Sequence, residues 1–180
     1  SFESAWKNCT ALTSFPADAK LGTAAENVNF ISAFRTSGLT ALPAGLDMSQ
    51  GSSFSSAFYG CASLTTIGNG VLLGTAVTTG VSYADAFRSC TNLVTLPANL
   101  NLSKGNYFYS AFRDCSSLVT FPTGAFDNMG PWGVPLEYCF RNAWLGCSSL
   151  SGASVDAILD SIDTSDQSAP SANSDITIDY

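Results

Sequence analysis

The chain contains no histidine, and only 12% of its 180 residues are charged. The missing imidazole removes the commonest general base and the central member of nucleophile–base triads. It also removes the usual nitrogen ligand for zinc, and no Cys-x-x-Cys pair takes its place. Lys and Arg number 7 against 14 Asp and Glu, so the net charge is −7 and the pI near 4.2. A nucleic-acid partner needs a basic groove, which so few cations cannot build. No apolar run approaches the length that spans a bilayer, so membrane insertion is not expected.

What is present is a recurring motif, Phe-x-x-Ala-[Phe/Trp]-x-x-Cys. Its Ala-aromatic pair falls at Ala5-Trp6, Ala33-Phe34, Ala57-Phe58, Ala86-Phe87, Ala111-Phe112 and Ala143-Trp144. An aromatic residue precedes each Ala by three positions: Phe2, Phe30, Phe54, Tyr83, Phe108 and Phe140. Four positions after the Ala stands Cys9, Cys61, Cys90, Cys115 or Cys147, with Ser37 as the one substitute. The Ala-to-Ala steps run from 24 to 32 residues. Self-similarity of this period signals a solenoid, in which one unit cannot bury its apolar face alone and stacking buries it.

Aromatic, Ala, aromatic and Cys at i, i+3, i+4 and i+7 share one stripe of a short helix. A Leu follows (Leu12, Leu39, Leu64, Leu93, Leu118, Leu150), then a second apolar position (Phe15, Leu42, Ile67, Leu96, Phe121). Alternation at Leu46-Asp47-Met48 and Leu100-Asn101-Leu102 reads as short strand. Ser49-Gln50-Gly51 and Ser103-Lys104-Gly105 mark the turns that return the chain to the next motif. The expected fold class is an α/β solenoid of six such units, with a parallel sheet on one side and short helical turns on the other. The expected organisation is a solenoid over 1–152 and a C-terminal cap over 153–180.

The run Ala-Phe-x-x-Cys-x-x-Leu-x-x-[Ile/Phe/Leu]-Pro resembles the BspA-like leucine-rich repeats of bacterial surface proteins. The stretch from Ala5 to Pro16 is similar to a variant found in repeat arrays of marine bacteriophages, and the stretch from Ser154 to Asp163 resembles the segment that closes those arrays. The resemblance covers about the whole chain and is specific for fold rather than function. It implies a non-enzymatic binding domain of a phage tail fibre or adhesin-like appendage, located on the virion or outside the cell. Its partner would be a host-surface glycan or protein. Two alternatives stand beside this: a bacterial cell-surface adhesin, and a purely structural subunit of a filament or virion. The low charge and neutral Ser, Thr, Asn and Gly surface agree with an extracellular or virion setting. The first motif begins at Ser1-Phe2, so we expect a raw apolar end that belongs to a longer polypeptide or packs on another chain, as in a homo-oligomeric assembly.

No cofactor or metal is expected. Each Ser lies in motif context, outside any nucleophile-elbow sequence. Asp156, Asp160 and Asp163 share one face of a closing helix, which reads as a solvated surface rather than carboxylates opposed across a cleft. The cysteines read as free, buried, small residues, because neighbouring helical turns would stand ~8–10 Å apart, beyond disulfide reach of ~7 Å. A bridge from Cys139 to Cys147 or to Cys115 is the exception left open.

Two surfaces are candidates for ligand binding. The positions after each Leu place Thr13, Thr40, Thr66, Thr95 and Thr120 on the outward side of the strand ladder, as rows of hydroxyl and methyl groups suited to a glycan or another polymer. An ice lattice is a further template for such rows, and the breaks at Ala41, Val94 and Val119 count against it. The second surface is the spacer from Asp127 to Tyr138, which departs from the motif; there Trp132 and Tyr138 are candidate stacking aromatics. Lys7, Arg35, Arg88 and Arg113 follow the second aromatic of their motifs and should form a sparse basic row, partly paired with Asp85 and Asp114. Finally, Ser154 is expected to cap a helix over 155–162, with Asp156 in its first turn, and Ile176, Ile178 and Tyr180 to add a last strand.

Overall fold

A computed structural model describes residues 1–130, 139–163 and 178. Among these residues there are eight strands of two or three residues: β1 (Val28–Asn29), β2 (Ala41–Leu42), β3 (Asp47–Met48), β4 (Gly51–Ser53), β5 (Thr66–Ile67), β6 (Leu72–Leu73), β7 (Val81–Ser82) and β8 (Gly105–Tyr107). One helix, α1 (Gly152–Asp163), follows them. All strand pairs are parallel, in the orders β1-β4-β7-β8, β2-β5 and β3-β6. The parallel-sheet class expected from the sequence is therefore present. It is divided among three narrow sheets rather than gathered on one side.

The expected helical turns are absent, and the chemistry of two motif positions explains why. The third residue of the motif (Ser4, Ser32, Ser56, Asp85, Ser110, Asn142) takes φ between 52° and 57°. The seventh (Asn8, Thr36, Gly60, Ser89, Asp114, Gly146) takes φ between 53° and 78°. A left-handed residue every fourth position cannot belong to a right-handed helix. It suits the third place of a tight turn, and Ser, Asn, Asp and Gly are the residues that tolerate it best. Each motif is thus a run of consecutive turns, closed by bonds such as Ala57 N–H to Phe54 O at 2.9 Å and Cys61 N–H to Phe58 O at 3.1 Å.

The amides not used inside a turn point along the stack. Phe30, Ser32, Phe34 and Thr36 donate to the carbonyls of Ser53, Ser55, Ala57 and Tyr59 of the next motif at 2.8–2.9 Å. The same four-bond ladder joins each motif to its successor, from Phe2 through to Asp114, which donates to Leu145. Consecutive motifs therefore sit at strand-like spacing, about 4.8 Å, not at helix spacing.

This close spacing turns the two aromatic positions into two continuous columns. Phe2, Phe30, Phe54, Tyr83, Phe108 and Phe140 stack with centroids 5.1–5.6 Å apart and planes within 12°. Trp6, Phe34, Phe58, Phe87, Phe112 and Trp144 form the second column, at 5.0–5.4 Å and then 6.4 Å at the last step. The motif Ala residues from Ala33 to Ala143 and the Leu column from Leu39 to Leu150 are buried beside them. Fully burying one Phe contributes roughly 1.5–3 kcal/mol, and an aromatic pair adds about 0.5–1.5 kcal/mol. Tyr83, the one phenol in the columns, donates its hydroxyl to Leu73 O at 2.7 Å, and burial pushes its pKa far up.

The cysteine argument from helix spacing also fails, because neighbouring motifs lie close. The thiols are nonetheless free, those of Cys139 and its two considered partners included. Cys61, Cys90, Cys115 and Cys147 each donate Sγ–H to the second aromatic's carbonyl in the preceding motif, at 3.0–3.2 Å. Burial pushes the Cys61, Cys90 and Cys115 thiols up, and Cys139 to about 12. Cys9 is the exception to expected burial: it lies exposed in the first motif.

The helix α1 closes the far end, with two corrections to the sequence reading. Ser151, not Ser154, is the cap: its Oγ accepts the Ser154 amide at 3.2 Å. Consequently Asp156 falls outside the first turn, where no acidic residue lies. Ser154 is buried within the helix, accepting from Phe121 N–H at 3.0 Å and donating to Val119 O at 3.1 Å. Ser161, also buried, accepts from Phe126 N–H at 2.9 Å and donates to Asp127 Oδ1 at 2.8 Å. Ile158 and Ile162 enter the core. Ile178 pairs in parallel with Trp144, in keeping with a last strand there; Ile176 and Tyr180 lie outside the described residues. Asp156, Asp160 and Asp163 are exposed. Leu100 and Leu102, expected in a strand, are buried in irregular chain.

Candidate ligand-binding face

The chain leaving each buried motif Leu runs two residues before the next apolar side chain enters the core. Both residues are therefore outside, and the stack aligns them. Thr40 N–H donates to Thr13 O at 2.9 Å, Thr65 to Thr40 at 2.9 Å, Val94 to Thr65 at 3.1 Å and Val119 to Val94 at 2.9 Å. In the neighbouring position Ala41 pairs with Thr66, Thr66 with Thr95 and Thr95 with Thr120. Thr13, Thr40, Thr66, Thr95 and Thr120 are all exposed. They occupy two adjacent columns rather than one: Thr13 and Thr40 in the first, Thr66, Thr95 and Thr120 in the second.

The two columns differ in chemistry. The Thr40 and Thr65 hydroxyls donate back along the ladder, to Thr13 O at 3.2 Å and Thr40 O at 3.0 Å. Their column continues as the exposed methyls of Val94 and Val119. The hydroxyls of Thr66, Thr95 and Thr120 make no hydrogen bond to any described residue, so they face outward with donor and acceptor both available. A methyl row beside a hydroxyl row is amphipathic, like one face of a sugar ring.

On another edge, Lys7, Arg35, Arg88 and Arg113 do form a row, with Tyr59 in the place between the two pairs, as the ladder register requires. The guanidinium carbons of Arg35 and Arg88 lie 4.4 and 5.6 Å from the Tyr59 ring centroid. Arg88 binds Asp85 at 3.1 Å, and Arg113 lies 3.5 Å from Asp114. Arg88 and Arg113 are thus paired with carboxylates, while the Nε of each is buried without a hydrogen-bond partner among the described residues. The column equivalence of Tyr59 with arginine is a cation–π arrangement that the motif spacing foreshadows once the motifs are known to lie close. Tyr107 and Tyr109 stack on each other at 6.2 Å on the outer side of β8. This pair is the described aromatic surface nearest in sequence to the spacer. Trp132 and Tyr138 lie outside the described residues.

Among the described residues there is no group of three side chains able to hold a metal ion, and no helix is long and apolar enough to cross a membrane. No family model matches the sequence, and no curated protein or solved structure matches it.

Proposed function

We propose that the chain is a leucine-rich-repeat-like solenoid of six rungs, resembling the BspA-like class, that acts as a non-enzymatic binding domain. It serves on a virion appendage or a surface adhesin and recognises a glycan or protein on a host surface. The observation that carries this reading is the outward column Thr66, Thr95, Thr120, in parallel register, whose hydroxyls make no hydrogen bond to a described residue. Hydroxyls fixed at rung spacing along a rigid ladder bind a polymer with little ordering cost on the protein side. The adjoining Val94 and Val119 supply apolar contact.

Glycan-array binding by the wild type and by a Thr66→Ala, Thr95→Ala, Thr120→Ala triple variant tests the proposal. These positions are exposed, so the variant keeps its melting temperature while its glycan signal falls at least tenfold. Equal binding by both proteins removes the column from the site. Absence of any glycan or cell binding by the folded wild type favours the structural-subunit alternative.

A further inference from the structure

The spacers between motifs differ in length, and their order has a geometric consequence. The first and third Ala-to-Ala steps are 28 and 29 residues, and the second, between them, is 24. A short rung between two long ones leaves a notch, because the extra residues of its neighbours stand out on either side. The ladder ties both walls to the short rung. Val28 N–H donates to Gln50 O at 2.7 Å from one side. From the other, Gly74 and Ala76 donate to Met48 O and Ser49 O at 3.1 and 3.0 Å. Between the two long loops lies a cavity of about 100 Å³, lined by Glu26, Asn27, Gln50, Ala76, Val77 and Thr78.

The lining joins an apolar patch to a set of unused polar groups. Val77 is buried, and the Ala76 methyl lies beside it. Glu26, Asn27, Gln50 and Thr78 supply a carboxylate, two carboxamides and a hydroxyl, and none of these side chains makes a hydrogen bond or an ion pair with a described residue. No Lys or Arg lines the notch, so a phosphate, sulfate or uronate meets the Glu26 charge without compensation. A hard cation such as calcium takes about six to eight oxygen ligands. Four side chains with one charge fall short of that, and the N–H donors of Asn27 and Gln50 have no use there. The volume is below the roughly 300 Å³ at which pockets for drug-sized ligands begin, which limits a guest to one small ring.

We infer that this notch is a binding site for a single neutral sugar ring. Vicinal hydroxyls of the sugar donate to the two oxygens of the Glu26 carboxylate, which makes those bonds charge-assisted. The Asn27 and Gln50 carboxamides each donate and accept, as a hydroxyl-bearing guest requires. The C–H face of the ring lies on Ala76 and Val77. A few placed polar groups around an apolar patch is the ordinary make-up of a small-molecule site. The notch shares no residue with the threonine columns, so either site can fail alone.

The test is a nuclear magnetic resonance titration of the isotope-labelled full chain with glucose, galactose, mannose, fucose and N-acetylglucosamine, each alone, and with calcium chloride and glucuronate as further arms. At least one of the neutral sugars is expected to give saturable shifts of the Asn27 and Gln50 side-chain N–H signals and of the Val77 amide. Glu26→Gln, at an exposed position, keeps the melting temperature and weakens that binding roughly tenfold, as loss of a charge-assisted pair requires. Ala76→Phe, also at an exposed position, fills the notch without touching its polar groups and abolishes the shifts. The threonine triple variant leaves them unchanged. Absence of saturable shifts with every neutral sugar overturns the inference, as does unchanged binding by Glu26→Gln or by Ala76→Phe. Shifts with calcium chloride alone identify a cation as the occupant, and tighter binding of glucuronate than of any neutral sugar contradicts the charge argument; both overturn it as well.

Discussion

At the scale of the residue, the decisive positions are the third and seventh of each motif. Their left-handed backbone converts an apparent helical stripe into a chain of turns. Ser110 shows the cost at one position. It has φ 52°, is fully buried, and its Oγ has no partner among the described residues. A non-glycine residue in this region costs roughly 1 kcal/mol, and an orphaned buried hydroxyl costs about 1 kcal/mol or more. Ser110→Gly should therefore raise the unfolding free energy by about 1 kcal/mol, after the small loss of Cβ contacts; urea denaturation measures it. A decrease would show that the Ser110 hydroxyl has a partner the account lacks. The signal was present in the sequence. Ser, Asn, Asp, Thr and Gly fill both positions in all six motifs, a turn composition rather than a helix composition. The i, i+4, i+7 apolar spacing masked it, because a run of four-residue turns places side chains at nearly the same intervals as a helix does.

At the scale of the element, the eight strands are too short to be stable alone, and they owe their geometry to the columns they join. What the sequence showed plainly was which residues face inward: the aromatic, Ala and Leu positions are in the core from the second motif onward. It did not show how far apart the units lie, since that distance depends on backbone conformation and not on apolar pattern. The reading of the cysteines went wrong in its reason for this cause, although the thiols are free. The candidate threonines were legible as outward residues, while their division into two columns required the register. Helix α1 illustrates a different limit. A helix over 155–162 was legible, but the role of its serines was not. Ser154 and Ser161 take the place of a further ladder partner, satisfying the amides of Phe121 and Phe126. Ser154→Ala leaves the buried Phe121 amide and Val119 carbonyl without that partner, which costs about 2 kcal/mol. Ser151→Ala, which removes only the cap's hydroxyl, should cost about 1 kcal/mol. Thermal and urea unfolding of the two variants checks the order; a larger effect for Ser151→Ala would restore Ser154 to a minor role.

At the scale of the molecule, one geometric fact joins stability to the proposed function. Strand-like spacing between motifs stacks the rings inside and, by the same register, aligns hydroxyls and methyls outside. A helical spacing of ~8–10 Å would separate both sets. The proposed binding face, along the ladder's side, is a consequence of that spacing. The measurement that tests it most directly is a nuclear Overhauser spectrum of the protein with selectively labelled phenylalanine. Phe58 should show ring-to-ring contacts to both Phe34 and Phe87, whose centroids lie 5.1 and 5.0 Å away, and its amide should lie close to the Ala86 backbone, the acceptor at 2.8 Å. Sequential helical amide contacts through Phe54–Cys61, with no ring contact from Phe58 to either neighbour, would contradict the account.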